Sequence, residues 1–236
     1  MYSFFNRLKT RFGTEKKLTA YLIYAVGEIL LLVIGILLAL SINNWNSNRK
    51  DREEASKTYK NIKRQLMEDR EELVSVRDYN AFYSASYERS IQLITERVDN
   101  KMDSLAMLVM GLSQYSDFHR NENIYETLVN SGAVKLLKNS EISSGLQKLE
   151  MTYTSINKLE DIHWEIILNE LYPELRGVIN YATLEVIQPE KLYSVEIQNF
   201  HIESIYLTKA KELIYNKVIS EIDSLNVIID QQLFNQ

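Results

Sequence analysis

An all-α, membrane-anchored chain is the fold class this sequence predicts, and three observations predict it. The run Leu18 to Ile42 is apolar apart from a few small or polar residues and one carboxylate, Glu28. No Pro precedes Pro173 and no Gly lies between Gly35 and Gly111, so nothing in the covalent chain breaks a helix that leaves the apolar run. Downstream, apolar residues recur at alternating steps of three and four, the period of a helix with one buried face. The expected architecture is a single transmembrane helix, free to continue as a long helix, followed by an antiparallel helical bundle. Residues 1–17 read as a basic amphipathic interfacial segment, 18–45 as the transmembrane helix and 46–236 as a helical extramembrane domain.

The apolar run of about 25 residues reaches roughly 37 Å as a helix, enough to cross a hydrocarbon core of about 30 Å with some tilt. A cleaved signal peptide is the competing reading, since Ala39-Leu40-Ser41 carries small residues at a peptidase-like spacing behind a basic region. Its apolar core, however, would be much longer than the roughly 7 to 15 residues such a peptide uses. An uncleaved anchor is the expectation.

Before the span, Phe5, Leu8 and Phe12 recur at helical spacing opposite Arg7 and Arg11, a short basic amphipathic stretch ended by Gly13. With Lys16 and Lys17 it is suited to an anionic leaflet, which is usually the cytoplasmic one. Lys and Arg are balanced on the two sides of the span, so the positive-inside rule does not set orientation by itself. The amphipathic stretch favours a cytoplasmic N-terminus in the inner (plasma) membrane, with the large domain extracytoplasmic or periplasmic. Tyr24 and Trp45 stand about 31 Å apart along a helix, the separation of aromatic belts at two interfaces.

At 100° per residue, Tyr21, Gly35, Ala39 and Ile42 fall within about 40° of Glu28. Gly35 and Ala39 have the small-xxx-small spacing that lets a second helix approach closely. A carboxylate facing lipid costs on the order of 2.5 to 3.5 kcal/mol at the bilayer centre, so this stripe is expected to meet another helix.

The anchor Tyr24-Ala25-Val26-Gly27-Glu28-Ile29, its Gly35-Ile36 and its closing Asn43-Asn44-Trp45-Asn46 resemble an uncharacterised family of single-span membrane proteins of Bacteroidota. The stretch Tyr125 to Asn139, with Leu128, Ser131-Gly132 and Lys135-Leu136-Leu137-Lys138, resembles that family's second recurring segment. Ser41 departs from the polar residue, commonly glutamine, that the family carries before the isoleucine and the Asn-Asn pair. The resemblance implies an anchor and brings no activity, substrate or cofactor with it.

In the extramembrane part, Tyr59, Ile62, Leu66, Asp69, Leu73, Val76, Asn80, Tyr83, Tyr87, Ser90, Ile94 and Arg97 form an interrupted stripe in which a buried Asn80 would fix register. Lys101 to Gly111 reads as a short apolar turn of helix, and a second helix runs from about Asn123 to Gly132, where Gly is a plausible cap. Ser140 is the expected N-cap, with Glu141 in the first turn, of a helix reaching Tyr172 that Pro173 closes or kinks. Its stripe is Ile142, Leu146, Leu149, Tyr153, Ile156, Glu160, His163 and Ile167. Leu192 to Phe200 alternates and reads as extended. A last helix spans about Ser204 to Leu233, with Leu207, Ala210, Ile214, Val218, Ile222, Leu225 and Ile229 on its apolar face.

Composition narrows the function. Charged residues make up 25% of the chain with a net charge of −5, and no basic stripe of the kind that tracks nucleic acid occurs. The absence of Cys removes disulfides, thiolate metal sites and thiol catalysis. Glu160-x-x-His163 is one of the two Glu-x-x-His elements a di-iron carboxylate site requires; His119 and His201 follow Ser116 and Gln198 instead. A hydrogen-bonded pair at a helix surface or core edge is the expectation for Glu160 and His163. No phosphate loop or nucleophile elbow is present. The sequence therefore points to no enzyme, no cofactor and no metal. It points to a membrane-anchored scaffold or interaction protein, contacting lipid and either a second copy or another membrane protein through the Glu28 face. An ion-conducting or ion-coupled assembly that uses Glu28 is the alternative.

Overall fold

A computed structural model describes residues 15–97, 102–120 and 123–234. The segment containing Arg7 and Arg11 lies outside these, as do the side chains of Lys16 and Lys17. The described chain is helical: α1 Glu15–Glu96, α2 Met102–Met110, α3 Ile124–Asn130, α4 Ser140–Ile166, α5 Tyr172–Leu175 and α6 Val195–Phe234. No strand occurs among the described residues, only an isolated antiparallel bridge between Ile179 and Val186. The chain divides into two compact units, 1–54 and 55–236, and α1 contributes to both.

In the second unit, α1, α4 and α6 each bury a stripe at steps of four and three. In α4 the predicted face Ile142, Leu146, Leu149, Tyr153, Ile156, Glu160 and His163 is buried, as are Thr152 beside it and Ile167 just past the helix end. Cross-helix bonds fix direction. Lys63 Nζ to Asp230 (2.5 Å), Arg70 to Asp223 (2.7 Å) and Arg77 to Asn216 (3.3 Å) descend seven residues in α6 for every seven climbed in α1. These two helices are antiparallel. Each exposed pair is worth about 0–1 kcal/mol, so the ladder sets register more than it stabilises. Between α4 and α6, Gly145 faces Leu225, Thr152 Oγ1 donates to Glu221 and His163 faces Lys211, again antiparallel. α1 and α4 are consequently parallel, and the chain needs the long crossover through α2 and α3 to join them.

Local chemistry explains most boundaries. Asn123 Oδ1 accepts from Glu126 N (2.9 Å) to start α3, and Gly132, at φ 72°, follows its end in the left-handed region that glycine enters without strain. Three expectations need correcting. Asn139, one residue earlier than Ser140, caps α4 by accepting from Glu141 N at 2.8 Å. α4 ends at Ile166 and widens into a π-turn over Ile167–Leu171, so Pro173 sits in the first turn of α5. The wider turn accommodates a proline that has no N–H and would crowd the carbonyl four residues back. Leu192 to Phe200 is not extended: Pro189–Tyr193 is a 3-10 turn and α6 begins at Val195.

A Cβ on Gly145 would lie 2.4 Å from Leu225 Cδ2. Gly145 therefore sets how closely α4 and α6 approach. Gly145→Val is expected to lower stability by about 1–3 kcal/mol, and adding Leu225→Ala should cost less than the two separate effects summed. Urea midpoints followed by circular dichroism on the four chains of this cycle check the coupling.

Candidate functional site, a polar layer between two cores

The apolar interior of the second unit is two clusters. One takes Tyr59, Ile62, Leu66 and Leu73 from α1, Ile142 to Ile156 from α4 and Tyr215 to Ile229 from α6. The other takes Tyr87, Leu93 and Ile94 from α1, Ile167 and Leu171 after α4, and Ile197 and Phe200 from α6, with α2 packed in. Between them the same three stripes turn polar at one level. Buried there are Asn80 and Ser84 of α1, Glu160 and His163 of α4, and Ser204, Thr208 and Lys211 of α6. Ser116, also buried, comes from the connection between α2 and α3.

These side chains are joined. Glu160 Oε1 accepts from Phe118 N at 3.0 Å and shares a short hydrogen bond with the Tyr215 hydroxyl. Tyr215 Oη lies 3.0 Å from Ser116 Oγ, which donates to Asn80 Oδ1 at 3.1 Å. Asn80 Nδ2 donates to the Thr208 carbonyl at 2.8 Å, and Thr208 Oγ1 to Ser84 Oγ at 3.0 Å. Lys211 Nζ donates to His163 Nδ1 (3.1 Å) and to the Ser116 carbonyl (3.4 Å), with its ammonium 5.7 Å from the Tyr115 ring centre. Tyr115 in turn stacks on Trp164 at 5.4 Å. The expectation of a surface or core-edge Glu160–His163 pair is therefore corrected. Both are buried, at 2% and 0% exposure, and they reach different partners.

Burial dominates the electrostatics. It pushes the Glu160 carboxyl up to about 7, against the opposing pull of Tyr215, Phe118 N–H and Lys211. Burial also lowers His163 to about 3, with Lys211 adding to the effect, and lowers Lys211 to about 8. His201, buried beside the layer with Nδ1 2.7 Å from the Ile197 carbonyl, falls to about 4 for the same reason. The arrangement can hold and exchange a proton. It does not suit a di-iron site, which needs two Glu-x-x-His elements where this chain supplies Glu160-x-x-His163 alone. Among the described residues, no group of three or more His, Asp or Glu is placed to hold a metal ion.

Sequence reasoning identified Asn80, Glu160 and His163 but missed Thr208, Lys211 and Tyr215. The signal was present. Continuing the 4-3 steps back from Ile229 through Leu225, Ile222 and Val218 reaches Tyr215, Lys211, Thr208 and Ser204, the positions that are buried. Leu207, Ala210 and Ile214 are apolar yet lie only at the margin of this face.

In the first unit, Tyr21, Glu28, Gly35, Ala39 and Ile42 all lie on α1 and all are exposed. Gly27 and Gly35 have open space where a Cβ would stand. Tyr24 and Trp45 point outward, and Arg49 stacks over the Trp45 ring at 5.7 Å, one turn on. The helix is long and apolar enough to cross a membrane, and its apolar window is unburied.

The molecule is thus an all-α protein with one exposed, apolar N-terminal helix followed by a packed helical domain. The chain belongs to a family of unknown function, DUF6090, which matches residues 28–188. That match includes Glu28, the α1 and α4 halves of the polar layer and the Tyr125 to Asn139 segment. No curated protein and no solved structure matches the chain.

Proposed function

We propose that this chain is a single-pass membrane-anchored scaffold or interaction protein that pairs with a second copy, or with another membrane protein, through the Glu28, Gly35 and Ala39 face of α1. The observation carrying this reading is the exposed apolar stretch of α1 with one carboxylate on the same stripe as its small residues. Lipid satisfies the apolar side chains and leaves Glu28 without a partner, whereas an apposed helix at Gly35 gives both close packing and shelter. The N-terminus lies on the cytoplasmic side of the inner membrane and the helical domain is extracytoplasmic.

Native mass measurement of the full chain in mild detergent tests it. The wild type is expected as an oligomer or a complex, and Gly35→Leu and Glu28→Leu are expected to shift it to monomer while the helical domain keeps its circular dichroism. A wild-type monomer without partner overturns the proposal. Cation flux in vesicles that disappears in Glu28→Gln while assembly persists would replace it with an ion-coupled role for the same carboxylate.

A further inference from the structure

The hydrogen-bond chain through the polar layer has a direction that can be worked out by counting protons. Its far end is fixed: Asn80 Nδ2 faces the Thr208 carbonyl, which has no proton to give, so the amide cannot be flipped and Oδ1 faces Ser116. Ser116 must therefore spend its only hydroxyl proton on Asn80. The contact between Ser116 Oγ and Tyr215 Oη then requires the tyrosine to donate. With the Tyr215 proton used there, the Glu160–Tyr215 contact needs a third proton, and Glu160 is the remaining source. Three contacts need three protons, and the two hydroxyls supply two.

We propose that Glu160 is a carboxylic acid in the folded domain, heading a chain in which Glu160 donates to Tyr215, Tyr215 to Ser116 and Ser116 to Asn80, and that loss of its proton loosens the joint between the two cores. The other carboxyl oxygen agrees with this. Glu160 Oε2 is buried with no hydrogen-bond partner among the described residues, which is much less costly for the carbonyl oxygen of an acid than for half of a carboxylate. The Phe118 N–H meets a lone pair of Oε1 in either state.

The charged and titratable surroundings place the transition close to neutral pH. From α6, Lys211 favours the ionised carboxyl; from the α2–α3 connection, Asp117 opposes it and Tyr115 adds a ring. On α4 itself, Asp161 is exposed and His163 is neutral. From α1, Asp69 accepts from the Tyr153 hydroxyl and Glu72 from His119 N, which occupies both with other donors. Burial, the largest influence, favours the acid.

Ionisation reverses the end of the chain. A carboxylate accepts the Tyr215 proton, Ser116 and Tyr215 are left with one proton too few, and one of the two contacts that hold the connection at Ser116 to α1 and α6 opens. Trp164 reports this, because it stacks on Tyr115 beside Lys211.

Infrared difference spectra of the full chain in mild-detergent micelles, labelled with carboxyl-13C glutamate, test the proposal between about pH 5 and about pH 8. An isotope-shifted protonated-carboxyl band should disappear with a midpoint near 7, be missing in Glu160→Gln and survive Glu150→Gln. Trp164 emission in a Trp45→Phe background should change over the same range. A Glu160→Gln chain that fails to fold does not end the test, because Ser116→Ala removes the shortage of protons without touching the carboxyl. Without the Ser116 hydroxyl the Tyr215 proton is free for Glu160, ionisation no longer opens a contact, and the midpoint is expected to fall. The absence of a glutamate band titrating near neutral, a midpoint unchanged or raised in Ser116→Ala, or a titration that leaves Trp164 unmoved overturns the proposal.

Discussion

Acidification from neutral pH to about pH 4 is expected to destabilise the helical domain by roughly 3 kcal/mol, an order-of-magnitude figure that sets opposing titrations against one another. His163 and His201 are buried as neutral imidazoles, lowered from 6.5 to about 3 and about 4. Between those values and 6.5 the unfolded chain binds protons that the folded one does not. Their contribution is complete above 6.5 and is lost as pH falls. Glu160 works the other way. Raised from 4.5 to about 7, it holds a proton in the folded state that the unfolded chain has released, so its contribution declines as pH rises across that window. The histidines outnumber it, and the balance falls on the acid side. Urea titrations of the full chain in mild detergent at a series of pH values measure the slope. His201→Gln should flatten the acid limb, while Glu160→Gln should steepen it. An acid limb unchanged in His201→Gln would show that this imidazole is not held neutral.

Leu73→Ala should cost about 2–5 kcal/mol, enough to remove a large part of the stability of a domain of this size. Leu73 is fully buried in the cluster shared by α1, α4 and α6. It lies on the same helix as the apolar N-terminal stretch, so the substitution asks whether α1 beyond Ala55 is a core element or a mere tether. A tether would tolerate it. Leu73→Met keeps the volume and is expected to cost less than about 1.5 kcal/mol. Thermal unfolding followed by circular dichroism distinguishes the two outcomes.

The face of α4 was legible residue by residue because its period is uninterrupted from Ile142 to Ile167, including two polar members. The face of α6 was half legible. From Val218 onward apolar type and periodicity agree, and the expected positions are the buried ones. Before Tyr215 they disagree: Ser204, Thr208 and Lys211 keep the period while Leu207, Ala210 and Ile214 have the apolar side chains. Hydrophobicity was the wrong guide there, since Thr208 and Lys211 have partners on other helices, Ser84 and His163, that supply what water would have supplied. Helix starts failed differently. Asn139 and Ser140 are both good caps, and the one that accepts from Glu141 N is settled by backbone geometry.

The sequence by itself determined the all-helical class, the apolar N-terminal helix with its single carboxylate, the stripe that α4 buries and the later half of the stripe of α6. All of these follow from the local period and the placement of Pro and Gly. Only the tertiary structure decided that the interior is split into two cores by a polar layer, and that Glu160, Tyr215, Ser116 and Asn80 form one chain of hydrogen bonds. Bonded neighbours in that chain are 36 to 99 positions apart in the sequence, and a hydrogen bond depends on separation in space rather than in sequence. The antiparallel packing of α6 against α1 and α4 supplies that proximity, and with it the uneven proton count that no single helix contains.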